Sequence, residues 1–174
     1  MSSKNKPSSS SSSSRTPTKR ILTELAAFNT SPPPTIPSLT SSPTSLLSLR
    51  AILVSPPSQN LPAYTHGRWL LSIAIPPTYP IAPPVITFVT KICHPNIKFE
   101  TGEICLDVLG ERWTPVLGVV GALEAVGRLL GEPGVDSPLN VDVAALVRGG
   151  DWVGSRGLAG FWTGEERFEG GIEE

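Results

Sequence analysis

The chain has 174 residues, 39% of them hydrophobic, and a formal charge of −1, enough for one domain with a sizeable core. No apolar run approaches the ~18–20 residues of a membrane span, and the near-neutral charge argues against nucleic acid as the main partner. The only cysteines, Cys93 and Cys105, are too few for a disulfide framework and suit a reducing compartment.

Residues 1–15 are mostly serine with scattered Lys and Pro, a composition that cannot offset chain entropy and predicts a disordered tail. The charges there are followed by no apolar segment, so no secretory signal is expected. Thr16-Pro17 predicts a helix start, Thr as cap and Pro at the first helical position. Ile21, Leu22, Leu25 and Phe28 give that helix one apolar face, and Asn29 with Pro32-Pro33-Pro34 stops it. Lys19 and Arg20 are expected on the exposed side of its first turn, as a solvated face or a docking patch for an acidic partner. Strands follow. A Pro-bearing stretch near Ile36–Leu39 can only be an edge strand, and Leu46–Val54 is a better one. Arg68–Ile75 is the clearest, with Trp69, Leu71, Ile73 and Ile75 alternating with Leu70, Ser72 and Ala74. Tyr64–Gly67, including His66, reads as a turn, Pro76–Pro84 as a rigid loop and Val85–Val89 as a short strand. Such short connections favour an antiparallel meander.

Beyond Cys105 the period becomes helical. Thr114-Pro115 repeats the cap-plus-proline start, and Val116, Val119, Val120, Leu123, Val126 and Leu130 recur at helical spacing. Gly118, Gly121 and Gly127 each weaken this helix by up to ~1 kcal/mol relative to Ala, so tertiary packing must hold it. Asn140 is read as the cap of a helix through Val147, and Leu158, Phe161 and Trp162 suggest a last helix. The result is an α+β domain over 16–168 followed by an acidic tail, 169–174.

The chemistry concentrates in His94-Pro95-Asn96-Ile97-Lys98-Phe99-Glu100-Thr101-Gly102-Glu103-Ile104-Cys105-Leu106. A cysteine acts as its thiolate, and at a free pKa of ~8.5 only a few per cent is ionised at neutral pH. His94 is the obvious candidate base, but in a His-Pro-Asn turn a ring more often holds the backbone, so a scaffold of His94 and Pro95 is the favoured reading. Asn96 can donate to an oxyanion, where loss of a donor costs ~10²–10³ in rate, or it can cap its own turn. An amide is no base, which suits acyl transfer from an already activated thioester. The eleven-residue gap between the thiols fits no compact zinc site, and Cys93 reads as a small packing residue. No phosphate-binding glycine loop occurs.

The chain resembles a ubiquitin-conjugating enzyme through several motifs in order: Lys19-Arg20-Ile21-Leu22-Thr23-Glu24-Leu25, Tyr79-Pro80-Ile81-Ala82-Pro83-Pro84, Phe88 to Asn96, Gly102 to Leu109, Trp113-Thr114-Pro115 and Asp136-Ser137-Pro138-Leu139-Asn140. The resemblance implies a four-stranded antiparallel meander flanked by four helices. It implies that Cys105 accepts the ubiquitin C-terminus from an activating enzyme and passes it on with a RING-type ligase. Asn96 would then be oxyanion donor or organiser of the active-site loop. Lys19 and Arg20 would meet the activating enzyme, and Ile81, Thr114, Pro115 and Val116 the ligase. No cofactor is implied on the chain itself; ATP is spent by the activating enzyme. A non-enzymatic ubiquitin-binding variant of the fold and an enzyme for another ubiquitin-like modifier are the competing readings.

Within the family the chain is most similar to the peroxisomal branch, the conjugating peroxin of fungi. One residue more than usual separates Asn96 from Cys105, and Lys-Ile-Cys-His-Pro-Asn precedes the insertion. That similarity implies receptor recycling during peroxisomal protein import, with an anchoring peroxin holding the enzyme at the cytosolic face of the membrane. The position beside the active cysteine that is often Asp in lysine-modifying relatives is Ser137, next to Asp136. The similarity implies a cysteine acceptor, for which weak activation of lysine would be tolerated; the alternative is that Asp136 or a backbone group does the same job as the missing Asp.

Overall fold

The computed structural model describes residues 16–55, 62–105, 110, 113–134 and 136–172; the serine-rich tail and Leu106–Leu109 lie outside these. Helix α1 (Pro17–Thr30) precedes a four-stranded antiparallel sheet, β1 (Ser38–Ser42), β2 (Ser45–Val54), β3 (Arg68–Ala74) and β4 (Val85–Phe88), ordered as in sequence. A 3₁₀ turn, Pro62–Tyr64, interrupts the β2–β3 connection. Helices α2 (Gly118–Leu129), α3 (Val141–Arg148) and α4 (Trp152–Glu165) complete the described elements.

Alternation sets the register. Leu49, Ala51 and Leu53 of β2 stand opposite Ile73, Leu71 and Trp69 of β3, and Leu71 and Ile73 stand opposite Phe88 and Ile86 of β4. All are buried and share a core with Ile21 and Phe28 of α1 and Val119, Leu123 and Val126 of α2. Each Leu, Ile, Val or Phe among them contributes about 1.5–3 kcal/mol on removal from water, and a slip by one residue would turn every inward side chain outward.

Helix α1 starts as expected, with Thr16 Oγ1 accepting from Lys19 N at 3.4 Å and Pro17 in the first turn. Asn140 caps α3, its Oδ1 accepting from Val143 N at 3.3 Å, and Asp151 caps α4 through Gly154 N at 2.8 Å. The edge strand lies two residues later than predicted, after Pro37, where the chain regains a backbone donor at each position. A larger correction concerns α2. Thr114 and Pro115 form only a turn before the helix, which begins at Gly118 and has no side-chain cap from its own N-cap residue. Glu24 of α1 supplies the acceptor instead, taking the Val119 N–H at 2.7 Å. Val116, counted in the helical apolar period, lies outside the helix and is 90% exposed.

The chain after α4 folds back onto β3. Arg68 Nη1 donates to the carbonyls of Phe168 (2.6 Å) and Gly170 (2.8 Å), and Phe168 N donates to Arg68 O at 2.8 Å. Hydrogen bonds from Arg68 therefore reach as far as Gly170.

Candidate active site

Residues Ile92–Ile97 are six consecutive buried residues outside helix or strand. Buried irregular backbone must find a partner for each polar group, and here the partners define the site. Tyr64 Oη donates to Cys93 O at 2.9 Å. Pro95 O accepts from both Leu139 N (2.9 Å) and Asn140 N (3.0 Å). Asn96 N donates to His94 Nδ1 at 3.1 Å, so Nδ1 carries the ring's lone pair. Nε2 then bears the hydrogen and donates to Leu129 O, 3.1 Å away. His94 is 1% exposed. Burial lowers its pKa to about 4, with the Leu129 hydrogen bond opposing the shift, and both ring nitrogens are committed to backbone. No lone pair is left over for a thiol.

After Asn96 the chain makes a small hairpin. Cys105 N donates to Asn96 O at 3.0 Å, Ile97 bridges Ile104, and Lys98 N donates to Glu103 O at 2.9 Å. The tip closes with Gly102 N donating to Lys98 O at 2.8 Å. Gly102 is fixed there by two requirements: its φ is +72°, and a Cβ would stand 1.8 Å from the Phe88 carbonyl oxygen. Phe88 N also donates to Gly102 O at 2.9 Å, so the hairpin covers the edge of β4. Phe99 at the tip packs edge-on against Trp162 of α4, ring centroids 4.8 Å apart.

The hairpin delivers Cys105, half-buried, to a largely apolar groove of about 570 Å³. Pro83, Pro84, Val85, Ile104 and Leu139 are among its lining residues. Leu139 belongs to a strap, Gly134 and residues 136–140, fastened at both ends to Pro95 and Asn96. Leu139 and Asn140 hang on the Pro95 carbonyl, and the Asn96 side chain grips Gly134. Asn96 Nδ2 donates to Gly134 O at 2.6 Å, and Oδ1 accepts from Gly134 N at 2.8 Å. Asn96 is 2% exposed, so both ends of its buried amide are satisfied within the protein. Asp136 and Ser137 lie exposed on the strap. Cys93 packs as a buried thiol, its pKa raised to about 11 by burial.

The remaining predicted residues form a second surface. Ile81 is 82% exposed, and Thr114, Pro115 and Val116 are exposed in the turn before α2. Lys19 is exposed; Arg20 is not. Its guanidinium is half-buried, paired through Nε with Glu24 and donating from Nη2 to Pro115 O at 2.6 Å, so the prediction of two solvent-facing cations holds for one. Sequence reading passed over Gly134 and Glu24, because a backbone partner and a carboxylate in an amphipathic helix carry no pattern of their own. Among the described residues, no group of three or more His, Cys, Asp or Glu is disposed to hold a metal.

The family profile described as ubiquitin-conjugating enzyme matches residues 20–151. The ubiquitin-conjugating enzyme E2 PEX4 of Gibberella zeae is 56% identical over 109 residues, 62% of this chain and 63% of that protein. The Dictyostelium discoideum ubiquitin-conjugating enzyme E2 pex4 is 44% identical over 65% of this chain and 74% of its own length. The match to the Gibberella protein thus spans less than two thirds of it. In three dimensions the chain is similar to the ubiquitin-conjugating enzyme Pex4p of H. polymorpha, solved in complex with the soluble domain of Pex22p. The TM-score is 0.77 at 29% identity, over 85% of this chain and 96% of the other. A profile covering most of the domain, relatives at this identity and a shared fold lead to one conclusion: the chain belongs to the ubiquitin-conjugating enzyme family and is similar to its peroxisomal members.

Proposed function

We propose that the chain is a ubiquitin-conjugating enzyme that accepts ubiquitin as a Cys105 thioester and transfers it, with a RING-type ligase, to a peroxisomal import receptor during recycling. The observation that carries this reading is the Asn96 junction. Its main-chain oxygen holds Cys105 N, and its side chain holds the strap at Gly134. The thiol thereby stands at a groove mouth framed from two sides.

In the first step the Cys105 thiolate attacks the C-terminal carbonyl carbon of ubiquitin in the activating enzyme's thioester. The new S–C bond forms, and the activating enzyme's sulfur leaves as thiolate. In the second, the acceptor's nucleophile attacks the same carbonyl and Cys105 leaves. His94 takes no proton in either, since its nitrogens are engaged. Oδ1 and one Nδ2 hydrogen of Asn96 hold the strap at Gly134, and the second N–H of the amide remains a donor for the oxyanion. No cofactor is needed on this chain, because the thioester it receives is already activated with ATP upstream.

Lys19 would meet the activating enzyme, while Ile81, Thr114, Pro115 and Val116 would meet the ligase. Among the described residues no helix is long and apolar enough to cross a membrane. A peroxin partner, as in the complex of H. polymorpha Pex4p with Pex22p, would supply the tether to the cytosolic face of the peroxisome. On the strap, Ser137 lacks the carboxylate that would help deprotonate a lysine (pKa ~10.4), a smaller handicap for a cysteine acceptor (pKa ~8.5). The deciding experiment incubates the full chain with ubiquitin-activating enzyme, ATP and ubiquitin. A thiol-sensitive adduct that Cys105→Ala cannot form is expected; absence of the adduct from the wild type overturns the reading.

A further inference from the structure

Two exposed apolar loops, around Ile81 and around Pro115–Val116, are joined through a single carboxylate that belongs to neither. Glu24 Oε1 accepts from Tyr79 Oη at 2.6 Å and from Arg20 Nε, and Oε2 accepts from Val119 N at 2.7 Å. Arg20 extends the network, donating from Nη2 to Pro115 O at 2.6 Å. Trp113 Nε1 closes it by donating to Pro80 O at 3.0 Å, with the Tyr79 and Trp113 rings 5.9 Å apart. Every bond to Glu24 comes from a donor, so an acceptor-only group is required at both oxygens. Space is fitted to it as well. Gly118 has φ +62°, and a Cβ there would lie 2.8 Å from Glu24 Oε2. With its side chain 14% exposed, Glu24 is shielded enough for charge-assisted bonds to hold their geometry.

Resting on the proposed function, we infer that Glu24 is a positioning residue that sets the relative placement of Ile81 and Pro115–Val116, and so tunes affinity for the ligase rather than the chemistry at Cys105. Tyr79 lies two residues before Ile81, and the Pro115 carbonyl adjoins Val116. The bonds therefore end at the roots of both exposed tips. A glutamine at this position keeps the shape but turns an N–H₂ toward a donor-only group, releasing Arg20 or Val119.

The test uses the full chain charged with ubiquitin and a recombinant RING domain already shown to discharge the wild-type thioester onto free cysteine. Discharge is followed against RING concentration. Glu24→Gln is expected to raise the half-saturating concentration about 10-fold while the maximal rate stays within two-fold, and Tyr79→Phe to shift it the same way by less. Ile73→Val, a core change remote from both loops, serves as the comparison at equal loss of Tm and is expected to leave half-saturation unmoved. Wild-type half-saturation in the Glu24 variant, or an equal shift in Ile73→Val, overturns the inference. If Glu24→Gln does not fold, the Tyr79→Phe titration decides alone. A wild-type chain that forms no thioester defeats the proposed function itself; one that charges while the variants titrate normally defeats only the role of Glu24.

Discussion

Asn96→Asp is a nearly isosteric change that should act as a pH-dependent lesion. Oδ1 can go on accepting from Gly134 N at 2.8 Å, but the atom replacing Nδ2 would be an oxygen facing Gly134 O across 2.6 Å. Ionised, the new carboxyl loses one hydrogen bond, worth about 1 kcal/mol net, and faces another acceptor in a buried site. Together these cost about 2–4 kcal/mol at neutral pH. Protonated, it restores the donor. Its folded pKa is therefore raised above the unfolded value of ~3.9, and the folded variant gains protons, and stability, as pH falls. Urea unfolding of both proteins at pH 7.5, 6 and 5 measures the difference between them, which cancels the contribution of His94. That difference should shrink steadily toward acid. A difference constant with pH, or no loss at pH 7.5, would refute the view that Gly134 depends on this amide. Asn96→Ala should cost about 1–3 kcal/mol at every pH.

The wild-type protein should show the opposite slope. His94 titrates near 4 in the fold against ~6.5 unfolded, so the unfolded chain binds the extra proton. About 3 kcal/mol of stability, fully present above pH 6.5, should drain away as pH falls to 4, readable in denaturant melts and removed by His94→Gln, whatever that variant's own cost. Gly102→Ala should destabilise by more than about 2 kcal/mol and slow thioester formation, because positive φ and the Phe88 carbonyl both oppose a Cβ. The charged enzyme should discharge onto free cysteine at least ~10-fold faster than onto free lysine at pH 7, as their pKa difference suggests; comparable rates would remove the reason for Ser137.

The parts of this fold legible in the sequence are those whose physics is local. Strand β3 announces itself because Trp69, Leu71, Ile73 and their polar neighbours alternate, and α3 because Asn140 caps its own third residue. What sequence could not supply are tertiary partners. Thr114-Pro115 has the composition of a helix start, yet the N–H that needed an acceptor found Glu24 nearly a hundred residues away. Arg20 belongs to a basic pair at a helix start, and only the fold shows that its guanidinium spans to Pro115. In the site, the residue types His94, Asn96 and Cys105 were plain. That the amide of Asn96 turns toward the strap depends on where Gly134 arrives.

The hairpin also explains what the extra residue between Asn96 and Cys105 does to the chemistry. Its three rungs pair Asn96 with Cys105, Ile97 with Ile104 and Lys98 with Glu103, so any change in length between Phe99 and Gly102 is absorbed beyond the last rung. The thiol stays in register with Asn96 whichever length is inherited. Such a turn can drift in length over evolution, or accept an engineered epitope between Glu100 and Thr101, while Asn96 and Cys105 keep their places.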